Sequence, residues 1–188
     1  MTNSSALDTA PLRRAFSSTR AVLAEVRTDQ LAAPTPCASW DVSALIAHFI
    51  GSARWIADVV RGTEPSGARN YAASEHLDAY DDSGRAALAA LDDIEDAGVA
   101  VFGGLSAAGL LAMSTQDQFV HGWDLARATG QSTDLDPDLA GALLAAARNW
   151  VDDKYRGPDG VGLFGPSVEA PATATPADRL AAFLGRSL

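Results

Sequence analysis

The sequence has little cysteine, little positive charge and no long apolar run. One of its 188 residues is cysteine, Cys37, so no internal disulfide can form. Fourteen Lys and Arg face 24 Asp and Glu, for a formal net charge of −10. Such a surface repels phosphates and no basic stripe offsets it, which argues against nucleic acid and against an anionic membrane as partners. No stretch approaches the ~18 consecutive apolar residues of a membrane span. The opening, MTNSSALDTAPLRRAF, lacks the apolar core of a signal peptide. These absences predict a cytoplasmic protein.

What is present favours helices. The chain is 47% hydrophobic and rich in Ala and Leu. Its length suits one domain, 1–188, with a sizeable core. Apolar residues recur at helical spacing and predict helices at roughly 10–28, 41–61, 77–97, 106–129 and 137–155. Residues 1–10 read as a loose tail. Pro34 and Pro36 exclude a helix from LAAPTPCASWD, where Trp40 is expected to pack the loop on the bundle and Asp41 or Ser39 to cap the next helix. Residues 63–76 read as an irregular crossover between the second and third helices. VFGGLSAAG is a break, with Ser106 as the cap that follows. Asp136 and Pro137 open the fifth helix. The Gly/Pro-rich tail, 157–188, contains an extended piece, GLFGPSVEA, and is expected to pack on the bundle. A short helix from Thr175 to Gly185 ends it. The class is all-α.

The stretch DQFVHGWDLARATG, from Asp117 to Gly130, carries the chemistry. Asp117 and His121 stand at i and i+4, one above the other on a helix face. Asp124 follows on the same stripe, and Leu110 and Met113 precede it on what reads as the inner face. Gly130 is placed for a left-handed cap with Arg127 at the negative end of the dipole. Two carboxylates in an apolar stripe must be hydrogen-bonded, ion-paired or on a metal. His48 lies mid-face on the second helix, where a histidine is either a satisfied core residue or a ligand. Together with Asp117 and His121 it would make a three-ligand N/O set with a position open, as in catalytic zinc sites. Asp124 would orient a ligand by accepting its other N–H, or equally cap a buried polar network. Cys37 lies about two helical turns before His48, some ~10 Å away by turns alone, and reads as a small core residue. His76 reads as a surface histidine. Trp55, Trp123 and Trp150 read as core or interface aromatics.

TPCASWDVSALIAHFIGSARW resembles the TPC-x-x-W-x-V-x-x-L-x-x-H opening of the mycothiol-dependent maleylpyruvate isomerase N-terminal domain and its actinobacterial metal-binding relatives. HGWDLARATGQ resembles the second signature of that family, and FGPSVEAPATATPADRLAAFLGR is similar to the ending of its smaller members. The resemblance implies a DinB-like four-helix bundle with a long crossover between helices two and three. It implies a divalent metal, usually zinc, on His48, Asp117 and His121, and mycothiol as a cosubstrate. The expected function is a metal-dependent S-transferase or isomerase that joins a small thiol to an electrophile. The alternative is a non-enzymatic metal-containing bundle acting in stress or partner binding. A homodimer is expected from the relatives. The sequence departs from the family in two ways. The acid is Asp117 where Glu is frequent, and only about 30 residues follow the fifth helix where the isomerase has a larger C-terminal domain.

Overall fold

The computed structural model describes residues 6–65, 69–158 and 161–188. Parts of the expected N-terminal tail, crossover and Gly/Pro segment, at 1–5, 66–68 and 159–160, lie outside the described residues. Among the described residues are six α-helices: α1 (Ala10–Ala24), α2 (Val42–Val60), α3 (His76–Asp92), α4 (Ala107–Thr129), α5 (Pro137–Trp150) and α6 (Pro176–Phe183). A hairpin of β1 (Ala100–Phe102) and β2 (Leu105–Ser106) fills the break before α4. The fold is all-α apart from this hairpin.

Local chemistry sets the helix starts. Asp41 accepts from the Ala44 N–H, Ser106 from Gly109, Asp136 from Leu139 and Thr175 from Asp178, each satisfying an otherwise orphan donor. Gly130 closes α4 in the left-handed conformation, φ 71°, with Arg127 in the last turn, as the sequence predicted. Three helices stop short of their expected ends. α1 ends at Ala24, where the chain passes into a single 3-10 turn at Thr28–Gln30, and Gln30 donates to the Thr129 carbonyl. α3 stops at Asp92, just where Asp92, Asp93, Glu95 and Asp96 would crowd the negative end of the helix dipole. Thr9 and Arg13 hold the Asp92 carboxylate instead. α5 likewise ends at Trp150, before Asp152 and Asp153.

Helix α1 packs on α4 and α2 on α3, and contacts between α2 and α4 complete a four-helix bundle. Leu12, Phe16, Leu45, Ile46, Phe49, Ile50, Leu91 and Leu110 fill its core. On the other side of α4, Phe119 and Trp123 meet Leu139, Leu143, Leu180 and Leu184, which seats α5 and α6. Trp123 Nε1 donates to Asp178 at 2.8 Å and ties α6 to α4. By length and composition α2 reaches the range of a membrane span, which a search for uninterrupted apolar runs does not register. Half of that window is buried inside the fold, where α2 serves as a core helix.

Two glycines decide the geometry around the site. A Cβ on Gly122 would lie 2.2 Å from Thr19 Oγ1, so α1 and α4 approach closely only because position 122 has no side chain. The same hydroxyl donates to the Gln118 carbonyl at 2.8 Å. Gly122→Ala should therefore destabilise by about 1–3 kcal/mol through overpacking, despite the better helix propensity of Ala. Urea unfolding measures it, and an unchanged midpoint would refute the close approach. Gly185, at φ 92°, sits so close to Gly165 that a Cβ would lie 2.4 Å from the Gly165 Cα. This contact turns the last residues back toward α4.

Candidate metal centre

Antiparallel α2 and α4 bring His48 opposite His121 and Ser52 opposite Asp117. Asp117 Oδ1 lies 3.4 Å from His121 Nε2 and 3.6 Å from His48 Nε2. The two imidazoles meet edge to face with centroids 4.8 Å apart. The three donor atoms fall within 4.8 Å of one another, a grouping that could hold a metal ion. His48 Nε2 is buried and has no hydrogen-bond partner among the described residues. The side chains are 33%, 30% and 11% exposed for His48, Asp117 and His121, so one side of the cluster is open.

Asp117 and His121 are each fixed from behind. Ser52 Oγ donates to Asp117 Oδ2 at 2.9 Å. Gln118, fully buried, donates to Ser52 Oγ and to the Phe49 carbonyl, and accepts from the Tyr80 hydroxyl at 2.9 Å. This joins α2, α3 and α4 beneath the site, and burial pushes the Tyr80 pKa up so that the hydroxyl remains a donor. His121 Nδ1 pairs with Asp124 Oδ2 at 2.9 Å, leaving Nε2 toward Asp117. Trp40 lies 4.3 Å from the His48 ring and 5.6 Å from the His121 ring by centroids, and closes one wall.

The electrostatics follow from these contacts. Burial alone would raise the Asp117 pKa, but the His121 and His48 imidazoles outweigh it and hold the carboxyl well below the usual range. Burial opposes charge on His121, yet Asp117, Asp124 and the Cys37 thiol push its pKa well up. Asp124, with no exposed surface, is likewise held down against burial by Arg186 and His121.

Three expectations are corrected. Cys37 is not an isolated core residue: its Sγ donates to Asp124 Oδ2 at 3.3 Å and lies 3.9 Å from His121 Nδ1. Helical rise toward His48 says nothing of α4, which the loop reaches because Thr35 bonds to Cys37 and to the Trp40 carbonyl and the Trp40 N–H returns to the Cys37 carbonyl. His76 is buried, not a surface residue, with Nε2 3.3 Å from the Tyr71 carbonyl, and burial lowers its pKa. It belongs to neither group of possible metal donors among the described residues, His48, Asp117 and His121 or Cys37, His121 and Asp124. Met113 also differs from its reading as inward, being 43% exposed.

Sequence reasoning missed Ser52, Gln118 and Arg186. Arg186 donates to both Asp124 oxygens, at 3.2 and 3.1 Å, and lies 3.7 Å from Cys37 Sγ. The signal available for it was its position just after the Gly185 turn.

The opening motif and the α4 motif thus converge in space as well as in type. The model of the mycothiol maleylpyruvate isomerase N-terminal domain matches residues 12–126, from α1 through the donor helix. The chain belongs to that family. Two relatives from Mycobacterium tuberculosis strains, the uncharacterized proteins MT0763 and Rv0738, are each 39% identical over 191 residues, covering 94% of this chain and 96% of theirs. Their names state no activity. No solved structure matches the chain significantly. The matched span of this family member holds His48, Asp117, His121 and Asp124, whereas Arg186 comes from the tail beyond it.

Proposed function

We propose that this family member holds a divalent cation on His48, Asp117 and His121, and that it uses a low-molecular-weight thiol of the mycothiol class in a transfer or isomerisation. The observation that carries the reading is the buried His48 Nε2, which has no hydrogen bond among the described residues and stands 3.6 Å from Asp117 Oδ1 beside His121. A buried imidazole nitrogen left without a hydrogen bond is costly, and a cation would satisfy it together with the two other donors. Two imidazoles and a carboxylate suit zinc, and three protein donors with an open side match a catalytic rather than a structural centre. Such a cation would favour the deprotonated form of a bound thiol. The residues of the chain do the rest. Asp124 fixes the tautomer of His121, Ser52 fixes the rotamer of Asp117, and Trp40 keeps water from one wall.

The test begins with elemental analysis of protein purified without chelator or affinity tag, followed by calorimetric zinc titration. Zinc-loaded protein is then incubated with mycothiol and a panel of electrophiles. Thiol adducts formed faster than with metal-free protein are expected. Stoichiometric zinc with no thiol affinity would refute the thiol half and leave a metal-holding bundle.

The reading also fixes a pH dependence. The raised pKa of His121 means that its ion pairs stabilise the metal-free fold fully below its unfolded value of ~6.5 and are lost as pH rises through the folded value. Cation binding has the opposite sign, because the Nε2 proton must leave. Affinity should rise about tenfold per pH unit while one proton is displaced. Melting temperature measured from pH 6 to 9 should fall without zinc, and the increment produced by zinc should grow. An increment independent of pH would remove His121 from the ligand set.

A further inference from the structure

Helices α1 and α3 enclose a cleft of about 350 Å³ that shares no residue with the metal centre. Its size lies at the low end for small-molecule sites, which run upward from about 300 Å³. Its floor is apolar. Phe16 of α1 meets Tyr80 of α3 edge to face, with centroids 5.7 Å apart at 71°, and Leu88 follows about two turns beyond Tyr80. The Tyr80 hydroxyl is buried and committed to Gln118 at 2.9 Å, so Tyr80 offers the cleft its ring. Gly84, between Tyr80 and Leu88 on the same face of α3, puts no side chain into the space.

The rim has the opposite character. Arg13 and Arg20 reach it from α1 and Arg85 from α3, and Asp81 is the one carboxylate among the lining residues. The arginines are held in place. Arg20 Nε and Nη2 donate to Asp81 at 2.7 and 2.8 Å, Arg85 Nη1 donates to Asp82 at 2.8 Å, and Arg13 pairs with Asp92. Asp82 and Asp92 do not line the cleft. The rim is therefore balanced as a whole but cationic where it borders the cleft, in a chain of net charge −10. A clamp between α1 and α3 accounts for Arg13 and Arg20, whose aspartates lie on α3. It does not account for Arg85, whose partner is three residues away on its own helix.

We propose that this cleft binds a small organic carboxylate, its flat apolar body on Phe16, Tyr80 and Leu88 and its oxygens on Arg13, Arg20 and Arg85. A guanidinium has five N–H donors, more than one aspartate takes up, so each arginine retains donors for a ligand. Its planar fork matches a carboxylate, and arginines already held by aspartates lose less freedom on binding. The inference does not depend on the metal reading, because no proposed metal donor lines the cleft.

The probes are 1-naphthoate, its uncharged counterpart 1-naphthamide, and acetate, each titrated by calorimetry into the full chain. Guanidinium Nε–H spectra of 15N-arginine protein report where the ligand sits. Naphthoate should bind once per chain with Kd below about 1 mM and move the Arg20 and Arg85 signals. Naphthamide lacks the charge and acetate lacks the rings, and each should bind at least about tenfold more weakly. Arg85→Met should weaken naphthoate about tenfold with the melting temperature unchanged, since an exposed pair within one helix contributes little. Gly84→Leu should fill the cleft and abolish binding. A Cβ there lies 3.5 Å from the Phe16 ring, an ordinary contact, so the backbone need not move. Should that variant not fold, Arg85→Met decides. Arg148→Met, on α5, should bind naphthoate as the parent does. No binding up to about 5 mM, equal binding of naphthoate and naphthamide, or an Arg85→Met variant that binds like the parent would each overturn the inference. His48→Ala separates it from the metal reading. Naphthoate should bind that variant as it binds the parent, whereas loss of binding would place the carboxylate at the metal centre and overturn the cleft.

Discussion

Asp117→Asn should lose zinc affinity by at least about a hundredfold, or about 2.7 kcal/mol, while Asp117→Glu keeps it within about tenfold of the parent. The two oxygens of Asp117 have separate duties. Oδ2 accepts from Ser52, and Oδ1 faces both histidine Nε2 atoms at 3.4 and 3.6 Å. Asn preserves the shape and can still accept from Ser52, but it removes the charge a cation needs. Glu restores the charge with one more methylene, toward the length that the family frequently uses. If Asp117 served only to satisfy its neighbours, the order would reverse. Asn would then cost little, and Glu would overpack against the two rings. His48→Ala and His121→Ala should each lose the metal as well, since two donors make a poor zinc site. Metal content by elemental analysis and melting temperature, taken side by side for the Asn and Glu variants, separate the accounts. An Asn variant that binds zinc like the parent would exclude Asp117 as a charged ligand.

The helices and the proximity of Asp117 to His121 were legible because each rests on local spacing. Asp117 and His121 share a helix turn, so their proximity is fixed once α4 forms, and Gly130 marks where α4 ends. His48 needed the pairing of α2 with α4; its position on an apolar face left a core residue and a ligand both open to spacing, and the family resemblance singled it out. The missed residues depend on what periodicity does not encode. Cys37 reaches α4 through side-chain hydrogen bonds of Thr35 within a proline-bounded loop. Arg186 lies 62 residues from Asp124 in sequence and arrives only because Gly165 and Gly185 meet without side chains. Gln118 has the spacing of a helix interior residue and no local sign that its amide binds the Phe49 carbonyl and Tyr80 at once. The early ends of α3 and α5 were readable in principle, since clustered acids at a helix C-terminus oppose its dipole.

Arg186→Met should destabilise the metal-free protein by about 3 kcal/mol at pH 7. Asp124 has no exposed surface, and among the described residues Arg186 is its one permanent cation, bonded to both carboxylate oxygens. Removing the guanidinium leaves a buried carboxylate held only by His121 and the weak Cys37 donor. The penalty is the uncompensated charge and not the value of the pair, so the second change should repair the first. Asp124→Asn with Arg186→Met should recover at least about 1 kcal/mol of the loss. The pH dependence follows from the lowered pKa of Asp124. The contribution of Arg186 is present in full above the unfolded carboxyl value of ~3.9 and disappears as pH falls through the lower folded value. The stability gap between parent and Arg186→Met, read from urea midpoints, should therefore be widest near neutrality and close in acid. A further consequence separates this ion pair from mere packing of the tail. Arg186→Lys keeps the charge without the fork that reaches both oxygens, and should fall between parent and Met. A Met variant within about 0.5 kcal/mol of the parent would mean that the C-terminal residues do not hold Asp124, and that the orientation of His121 is set within α4 alone.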